Sequence, residues 1–308
     1  MRTAPYPVTL RQLQYLAAVG EARSFRRAAE ACRVSQPSLS AQVAEAERAL
    51  GVRLFERDRR RVLVTAAGEA LLARARRVLL EADDLVDAAR RGADPLAGTL
   101  RIGVIPTVGP YLLPRAAPAL RRALPALQIL WEEDKTAALV RRVAAGDLDG
   151  ALLAREADLG ELVHAEIGRD PFVVAAPPGH PLARASGPLT PKALDGERVL
   201  LLDDGHCLRD QTLAVCSRAR AEELGFRATS LGTLVQMVAS GAGITLLPGV
   251  AVDAEAARAG LRARPFAEPA PGRTLVLAFR RGAAREAALR KVVEVVRPTA
   301  AAGARARR

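Results

Sequence analysis

The sequence lacks long apolar runs: nothing in its 308 residues approaches the roughly 20 consecutive apolar residues that a membrane-spanning helix needs. Residues 1–8 also lack the basic and apolar regions of a signal peptide. With 50% apolar residues, the chain is long enough for more than one domain with a sizeable core. We therefore predict a globular protein that is cytoplasmic and has no membrane partner.

Cysteine and histidine are scarce. Three cysteines are too few for a disulfide scaffold, and a reducing cytosol would keep them as thiols unless something specific oxidises them. The three histidines, His164, His180 and His206, show no metal-ligand spacing. We therefore predict neither a metal site nor a cofactor, and any disulfide would be regulatory or catalytic.

Lysine is nearly absent as well, so the net charge of +12 comes almost wholly from arginine. Such a charge favours a polyanionic partner, although arginine-rich composition can also reflect coding bias. Residues 1–65 carry twelve arginines against six acids, whereas residues 66–91 carry five of each. Half of the excess thus lies in about a fifth of the chain, which points to the N-terminal segment as the polyanion-binding part.

Three short helices are predicted near the N-terminus. Apolar residues recur with a helical period from Leu10 to Val19, and Ser24 is placed to cap a second helix that ends near Cys32. Ser35 is placed to cap a third helix, with Pro37 in its first turn, where a missing N–H costs nothing. This is the spacing of a helix-turn-helix.

The third helix has one apolar face, from Leu39 through Val43 to Leu50, and one polar face. Short polar side chains at the start of such a helix reach base edges in a major groove, and glutamine pairs with adenine. The predicted DNA-binding residues are Arg11, Ser35, Gln36, Pro37, Ser38, Ser40, Gln42, Arg57, Arg59 and Arg60.

Residues 52–65 have the pattern of a hairpin with an arginine-rich tip, which is typical of a wing. Arg57, Arg59, Arg60 and Arg61 are expected to contact phosphates, which positions a protein on DNA without specifying sequence. The alternative is a solvated run of charges.

Residues 66–92 are predicted to form a long linker helix. Its apolar residues fall at 71, 75, 78, 82, 85 and 89, in alternating steps of four and three. Such a heptad seam favours pairing with a second copy of the chain, which would place two recognition helices on neighbouring half-sites. The alternative is an amphipathic helix packed on its own domain.

From Thr99 onward, short apolar runs alternate with helical stretches, which predicts parallel α/β sheets. We assign residues 98–300 to this regulatory domain and residues 301–308 to a basic disordered tail. Strands are expected at residues 100–105, 127–131, 150–153, 172–176, 199–202, 244–247 and 275–280.

Cys207 and Cys216 lie nine positions apart in this domain. Asp204 is a candidate N-cap for a helix that starts at Cys207, where free N–H groups, the helix dipole and the neighbouring His206 and Arg209 would stabilise a thiolate. A regular helix would separate the two cysteines by roughly 13 Å, whereas a disulfide needs Cα atoms within about 7 Å. Bonding them would therefore require the segment to refold. The residues alone leave open a sensor, a catalyst or two buried thiols.

The N-terminal segment resembles the DNA-binding region of LysR-type transcriptional regulators. The resemblance rests on Ser24-Phe25-x-x-Ala28-Ala29, Ser35-Gln36-Pro37-Ser38-Leu39-Ser40, Leu50-Gly51-x-x-Leu54-Phe55-x-Arg57 and Thr65-x-x-Gly68. Residues 241–248, Gly-Ala-Gly-Ile-Thr-Leu-Leu-Pro, resemble a marker of the same family's regulatory half. The resemblance implies an α/β protein with an N-terminal winged helix-turn-helix, a long linker helix and a two-lobed regulatory domain like that of periplasmic binding proteins. In most members the cleft between the lobes binds a small effector such as an organic acid.

A closer resemblance is to the peroxide-sensing OxyR subfamily. It is carried by Leu202-Asp203-Asp204-Gly205-His206-Cys207-Leu208-Arg209-Asp210-Gln211 with Cys216 after it, and by residues 103–114. The resemblance implies that Cys207 is the peroxidatic thiol and Cys216 the resolving thiol. It further implies that Thr107, His206, Thr136 and Arg273 form the peroxide pocket.

The same resemblance implies a non-enzymatic regulator that activates or derepresses oxidative-defence genes. Its partners would be double-stranded DNA, further copies of itself in a homodimer or homotetramer, RNA polymerase and a glutaredoxin- or thioredoxin-like reductant. One rival hypothesis is a regulator that responds to an effector in the cleft and has incidental cysteines. Another, of a different class, is a thiol peroxidase or a solute-binding protein.

Overall fold

The computed structural model describes residues 5–57, 62–90 and 94–305, which divide into two compact units. One unit ends at Asp94 and the other begins at Pro95. Among the described residues, no helix combines the length and apolar character needed to cross a membrane.

The N-terminal unit consists of three short helices, a two-stranded hairpin and a long helix. Its elements are α1 (Leu10–Ala22), α2 (Phe25–Ala31), α3 (Gln36–Leu50), β1 (Phe55–Arg57), β2 (Val62–Val64) and α4 (Ala66–Arg90). The predicted caps are confirmed: Ser24 accepts from the N–H of Arg27, and Ser35 from the N–H of Ser38. Thr9 caps α1 in a capping box with Gln12.

The core of this unit forms where α1, α2 and α3 meet. Leu16, Val19, Leu39 and Val43 are buried there, as the apolar periodicity predicts. Helix α4 packs on α1 where Gly20 allows close approach, because a Cβ at that position would lie 2.8 Å from Leu72 Cδ1. The compact unit thus includes the start of the linker helix together with the helix-turn-helix.

The C-terminal unit is a mixed α/β domain. Its elements are β3 (Gly98–Val104), α5 (Gly109–Ala123), β4 (Leu127–Glu133), α6 (Thr136–Ala145), β5 (Gly150–Ala154), β6 (Val163–Ala176), α7 (Pro181–Arg184), β7 (Arg198–Leu202), α8 (Cys207–Ala219), β8 (Glu222–Ala228), α9 (Leu231–Ala239), β9 (Thr245–Pro248), α10 (Val252–Glu255), β10 (Arg262–Pro265), β11 (Gly272–Phe279) and α11 (Glu286–Arg305).

Strand β6 joins the two lobes of this unit. Its first part, residues 163–171, pairs with β11, which continues the sheet through β5 and β3 to β4. Its second part, residues 172–176, pairs with β9 and β10. Strand β7 pairs with β8 and reaches β9 through the bridge between Val199 and Ile244. One long strand therefore serves both lobes, as expected for a domain of the periplasmic-binding-protein type.

The prediction of parallel sheets is only partly right, because the sheets are mixed. Pairing is parallel between β3 and its two neighbours and between β7 and β8, but β6, β9, β10, β11 and β5 are joined by antiparallel pairs. The chain passes from the first lobe to the second along β6 and later returns. The strands next to β6 therefore run antiparallel to it. Strands β8 and β10 were not predicted, because their charged sequences, EELGFRA and RARP, lack an apolar run.

Helix α11 runs to Arg305, so residues 301–305, which the sequence predicted as part of a disordered tail, are helical. Alanine occupies residues 300–302, and its high helix propensity favours continuation of the helix. Residues 306–308 lie outside the described residues.

Candidate redox pocket and nucleic-acid interface

Cys207 is the first residue of α8, and Cys216 lies nine residues farther along the same helix. The helix is continuous from Cys207 to Ala219, which puts the two cysteines roughly 13 Å apart along its axis. Both cysteines are free thiols. The predicted separation is therefore confirmed: the thiols cannot bond while α8 keeps this form.

The N-cap of α8 is His206, and no side chain caps the helix there. The prediction that Asp204 caps α8 is therefore wrong, because that carboxylate binds two arginines instead. Asp204 Oδ1 lies 3.0 Å from Arg209 Nε, and its Oδ2 lies 2.5 Å from Arg227 Nη1. Among the described residues, no side chain therefore accepts from the first N–H groups of α8, while the N–H of Arg209 donates to the carbonyl oxygen of His206 at 2.9 Å.

A narrow pocket lies beside Cys207, and both lobes form its walls; in this structure it is too tight to hold a water molecule. The first lobe contributes Ile105, Pro106, Thr107, Lys135 and Thr136, and the second contributes Gly205, His206 and Cys207. Three of the four predicted peroxide-pocket residues, Thr107, Thr136 and His206, thus line one space with the predicted peroxidatic thiol. These residues are far apart in the sequence, so the packing of the lobes brings them together.

Arg273 lies behind this pocket and supports Thr107. Its guanidinium is buried, with Nε donating to Asp170 Oδ2 at 2.9 Å. Arg273 Nη1 donates to Thr107 Oγ1 at 2.7 Å, and Nη2 donates to the Thr107 carbonyl at 2.9 Å. Because Thr107 Oγ1 accepts a hydrogen bond from Arg273, the hydroxyl proton of Thr107 is available to be donated to another group. Arg273 acts on the pocket through Thr107 and is not one of the residues that line it.

His206 is buried, with 5% of its surface exposed. Burial lowers the pKa of His206, Lys135 lowers it further, and Asp203 acts in the opposite direction. Its Nε2 lies 3.0 Å from Asp203 Oδ1, but the two groups are out of line, and Nε2 finds no hydrogen-bond partner among the described residues. A neutral imidazole whose pKa is lowered in this way can accept or donate one proton in the pocket.

Thr136 supplies a second unused polar group. It is the first residue of α6, and its buried Oγ1 has no hydrogen-bond partner among the described residues. Buried polar atoms are normally paired, so an unpaired hydroxyl beside a thiol indicates a place for a small polar molecule. A wider cleft of about 810 Å³ opens next to the pocket and shares Thr136, Gly205 and Cys207 with it.

Cys216 occupies a different environment. It is 4% exposed and packs in the core of the domain. Burial raises the pKa of the Cys216 thiol to about 11, and the charge of Glu223 adds to the rise. In the reduced protein this thiol is therefore protonated and shielded, whereas Cys207 is partly exposed.

Most of the predicted DNA-reading residues lie at the N-cap or in the first half of α3. Ser35, Gln36, Pro37 and Ser38 are exposed at the start of α3, while Ser40 and Gln42 are half-buried. Gln42 donates to Glu45 at 3.1 Å, and Arg11, exposed on α1, donates to the hydroxyl of Tyr15 at 2.7 Å. The exposed N-terminal turn of α3 has the geometry that a recognition helix needs.

The wing is only partly described. Strands β1 and β2 form the predicted antiparallel hairpin, and Arg57 is the last residue of β1. Arg59, Arg60 and Arg61 at the tip lie outside the described residues.

Sequence reasoning missed four residues that contact the predicted site residues or their neighbours: Lys135, Asp170, Asp203 and Glu223. Lys135 directly precedes Thr136, and Asp203 lies three residues before His206. Neither was assigned a role, because no local pattern links the lysine to the aspartate. Asp170 and Glu223 are bonded to Arg273 and Arg209, across 103 and 14 residues respectively. A buried arginine requires a buried acid, so the prediction of Arg273 was the one signal that could have prompted a search for Asp170.

Comparison with known families and proteins agrees with this arrangement. Residues 10–69 match a family of bacterial regulatory helix-turn-helix proteins, the lysR family, and residues 93–301 match the LysR substrate binding domain. The hydrogen peroxide-inducible genes activator of Dickeya chrysanthemi is 45% identical over 276 residues, which cover 89% of this chain and 90% of the relative. The DNA-binding transcriptional dual regulator OxyR of Escherichia coli K12 is 42% identical over 292 residues, covering 94% and 95%.

Among solved structures, a full-length OxyR variant from Pseudomonas aeruginosa superimposes with a TM-score of 0.80. It is 35% identical, and the match covers 95% of this chain and 96% of that one. Matches of this extent and identity include both the reading unit and the regulatory domain. The chain therefore belongs to the LysR family of bacterial transcriptional regulators and, within it, to the OxyR subfamily.

Proposed function

We propose that this protein is a DNA-binding transcriptional regulator that senses hydrogen peroxide through Cys207 and Cys216. The observation that carries the proposal is the pocket beside Cys207, where Thr136 Oγ1 and His206 Nε2 have no hydrogen-bond partner among the described residues. A peroxide molecule has two donors and two oxygen acceptors, which match such unpaired groups. The names of the relatives, hydrogen peroxide-inducible genes activators, agree with this ligand.

The chemistry takes two steps and consumes one peroxide. The thiolate sulfur of Cys207 attacks one peroxide oxygen, the O–O bond breaks, and the second oxygen leaves as hydroxide, which a proton converts to water. The sulfur loses two electrons and becomes a sulfenic acid. The thiol of Cys216 then attacks that sulfur, the S–O bond breaks, and a second water leaves as the disulfide forms.

The pocket residues have separate roles in the first step. Cys207, the first residue of α8, supplies the nucleophilic sulfur. Thr107, whose hydroxyl oxygen accepts from Arg273, donates its proton to the peroxide and aligns it. Thr136 holds the other end of the peroxide. His206, neutral because burial and Lys135 lower its pKa, takes up or supplies the proton that the leaving hydroxide needs.

The second step converts oxidation into a conformational change. Cys207 and Cys216 stand at the two ends of most of α8, so the disulfide forms only when the helix between them unwinds. The same step brings Cys216 out of the buried site that keeps it protonated. The bond then holds a regulatory domain that differs from the reduced one.

The N-terminal unit provides what this change controls. The start of α3 reads base edges in the major groove with Gln36 and its neighbours, and the wing arginines Arg57, Arg59 and Arg60 bind phosphates. On α4 the seam residues Val78 and Leu85 are 47% and 72% exposed. A second copy that covers this seam makes a dimer with two reading helices, and pairing of regulatory domains makes a tetramer.

Further partners follow from this role. A regulator that activates transcription contacts RNA polymerase, and a disulfide that must be reset needs a glutaredoxin- or thioredoxin-like reductant. Both DNA and such reductants act in the cytoplasm, where we place the protein. It is a switch and not an enzyme, since the result of each oxidation is a changed state of the regulator and not a released product.

The wider cleft supports a second candidate function, control by a small-molecule effector. Its volume of about 810 Å³ suits a small ligand, and both amide atoms of Gln211, which lines it, are buried without a hydrogen-bond partner among the described residues. In this case the protein would respond to an organic ligand and the cysteines would be incidental.

Peroxide treatment of the reduced full-length protein separates these candidates. One equivalent of hydrogen peroxide is expected to link the peptides containing Cys207 and Cys216 with loss of two hydrogens, as measured by mass spectrometry. The footprint on the protein's own upstream DNA is expected to change at the same time. A Cys207→Ser protein is expected to bind DNA without that change. If no linked peptide forms in the wild type, the peroxide hypothesis is wrong.

A further inference from the structure

Lys135 connects the two lobes at the redox pocket. It lies in the first lobe, directly before α6, while its ammonium group reaches the second lobe. Lys135 Nζ donates to both carboxylate oxygens of Asp203, at 3.3 and 3.1 Å, and to the carbonyl oxygen of Asp204 at 2.7 Å. Three donor contacts from one ammonium group use all of its hydrogen-bonding capacity.

The stem of the same side chain fits against the turn that precedes Cys207. Gly205 adopts a φ of +87°, and a Cβ there would lie 3.1 Å from Lys135 Cδ and 3.6 Å from Nζ. Glycine is therefore favoured at 205 both by its backbone conformation and by the space that Lys135 takes. Lys135 thus meets the turn at three points: the carboxylate of Asp203, the carbonyl oxygen of Asp204 and the space beside the Cα atom of Gly205.

This contact joins the two walls of the pocket. Lys135 and the adjacent Thr136 belong to the first-lobe wall, and Gly205, His206 and Cys207 form the second-lobe wall. Lys135 thus ties the segment that carries Thr136 to the loop that carries the thiol. An arginine-rich protein with three lysines has one of them at this position.

We propose that Lys135 is a positioning residue for the peroxide reaction: it clamps residues 203–207 against the first lobe in the reduced protein and releases them when the disulfide forms. The inference rests on the proposed peroxide chemistry of Cys207 and Cys216. Bonding these cysteines requires the first turns of α8 to unwind, and Cys207 is only two residues beyond Gly205. The clamp therefore stabilises the reduced form selectively.

Two consequences of opposite kind follow for Lys135→Met, which keeps much of the stem but loses the ammonium group. The pocket is less well assembled, so Cys207 is expected to react with peroxide at least tenfold more slowly, since small misplacements of reacting groups are costly. The reduced form also loses selective stabilisation, so the equilibrium is expected to shift about tenfold toward the disulfide. That shift corresponds to a reduction potential about 30 mV more negative.

The experiment measures both quantities on the full-length protein. Reduced protein is mixed with hydrogen peroxide and quenched with an alkylating reagent, and the surviving Cys207 thiol is quantified by mass spectrometry. The potential of the cysteine pair is measured by equilibration with mixtures of oxidised and reduced dithiothreitol. Lys291→Met is the matched control, because Lys291 also forms an ion pair, with Glu294 at 2.7 Å, but on the exposed face of α11.

We expect Lys291→Met to match wild type, Lys135→Arg to recover most of the rate, and Lys135→Met to show the slower reaction and the more negative potential together. If Lys135→Met does not fold, Asp203→Asn removes the same ion pair from the other side and must shift the potential in the same direction. A wild-type rate in Lys135→Met, or a potential that is unchanged or less negative, overturns the clamp. Failure of the wild type itself to form the disulfide overturns the proposed function instead.

Discussion

Cys207 and Cys216 are the first and tenth residues of one unbroken helix, α8, and their surroundings differ. Cys207 is partly exposed beside a pocket with unpaired polar groups, whereas Cys216 is 4% exposed in the apolar core. A pair at this separation cannot bond without the loss of helix between them. If the disulfide forms, the free energy of unwinding α8 is therefore part of the free energy of oxidation. Five predictions concern this helix, its surroundings and the DNA-binding unit.

Weakening α8 at an exposed position is expected to favour the disulfide. Ala214 lies between the cysteines and is exposed. Ala214→Gly costs a helix interior about 1 kcal/mol, and this cost applies to the reduced form alone if the segment unwinds on oxidation. The potential of the cysteine pair is then about 20 mV more negative than in wild type, as measured by equilibration with a dithiol buffer.

The matched control for this variant is Ala287→Gly, at an exposed position of α11, a helix that carries neither cysteine. It should lower thermal stability without moving the potential. An unchanged potential in Ala214→Gly would mean that α8 stays helical in the oxidised protein.

The buried thiol of Cys216 is expected to make the stability of the reduced protein depend on alkaline pH. Its pKa is raised to about 11, mainly by burial, whereas an unfolded thiol titrates near 8.5. The folded form binds the proton more tightly, so this contribution is complete below about pH 8.5 and is lost as the pH rises toward 11. We expect a loss of about 2 kcal/mol between pH 8 and pH 10.

Urea unfolding of wild type and Cys216→Ala under reducing conditions measures this contribution. The difference between the two pH dependences belongs to Cys216, since all other groups are shared. Equal pH dependences would show that the thiol titrates normally in the folded protein. Glu223→Gln should reduce the difference, because the charge of Glu223 is the second cause of the raised pKa.

Breaking the ion pair behind Thr107 is expected to destabilise the regulatory domain strongly. The side chains of Arg273 and Asp170 are 0% and 1% exposed, and their contact is 2.9 Å. Asp170→Asn leaves a buried guanidinium without its counter-charge, which costs about 3–5 kcal/mol. Chemical unfolding measures this loss. Glu294→Gln, which breaks an exposed pair with Lys291, is the control and should leave the stability almost unchanged, because solvent screens that pair.

Two substitutions in the reading unit are expected to separate specificity from affinity. Gln36→Ala should lower the preference for the cognate site by about 1–3 kcal/mol, because a base contact is lost. Arg57→Ala should weaken binding to all sequences and reduce the slope of log affinity against log salt by about 1. Gel shifts at several salt concentrations measure both. Arg290→Ala, on α11 in the regulatory domain, should change neither quantity.

The linker seam is expected to hold the dimer. Leu85 on α4 is 72% exposed within one chain. Leu85→Asp introduces a charge into the seam, so sedimentation equilibrium should show loss of the linker-mediated pairing and weaker binding to the paired half-sites. Asp83→Ala, an exposed change on the same helix at a position outside the seam, should leave the assembly unaltered.

Local signals account for the parts of the fold that the sequence predicted well. The hydroxyls of Ser24 and Ser35 cap their helices through residues three positions away, and the burial of Leu39 and Val43 follows from helical period alone. Strands β8 and β10 were missed because their residues carry charge and lack an apolar run. Asp204 was predicted as a cap from local spacing, but Arg209 and Arg227 bind it more strongly than free N–H groups do.

The sequence by itself determined the helix-turn-helix, the helical separation of Cys207 and Cys216, and the residue types that thiol chemistry needs, because each depends on neighbours within about a dozen positions. Only the tertiary structure decided which groups surround the thiol. Arg273 meets Thr107 across 166 residues, and Lys135 meets Asp203 across 68. Such contacts arise from the packing of two lobes around a shared strand, and no local pattern encodes that packing.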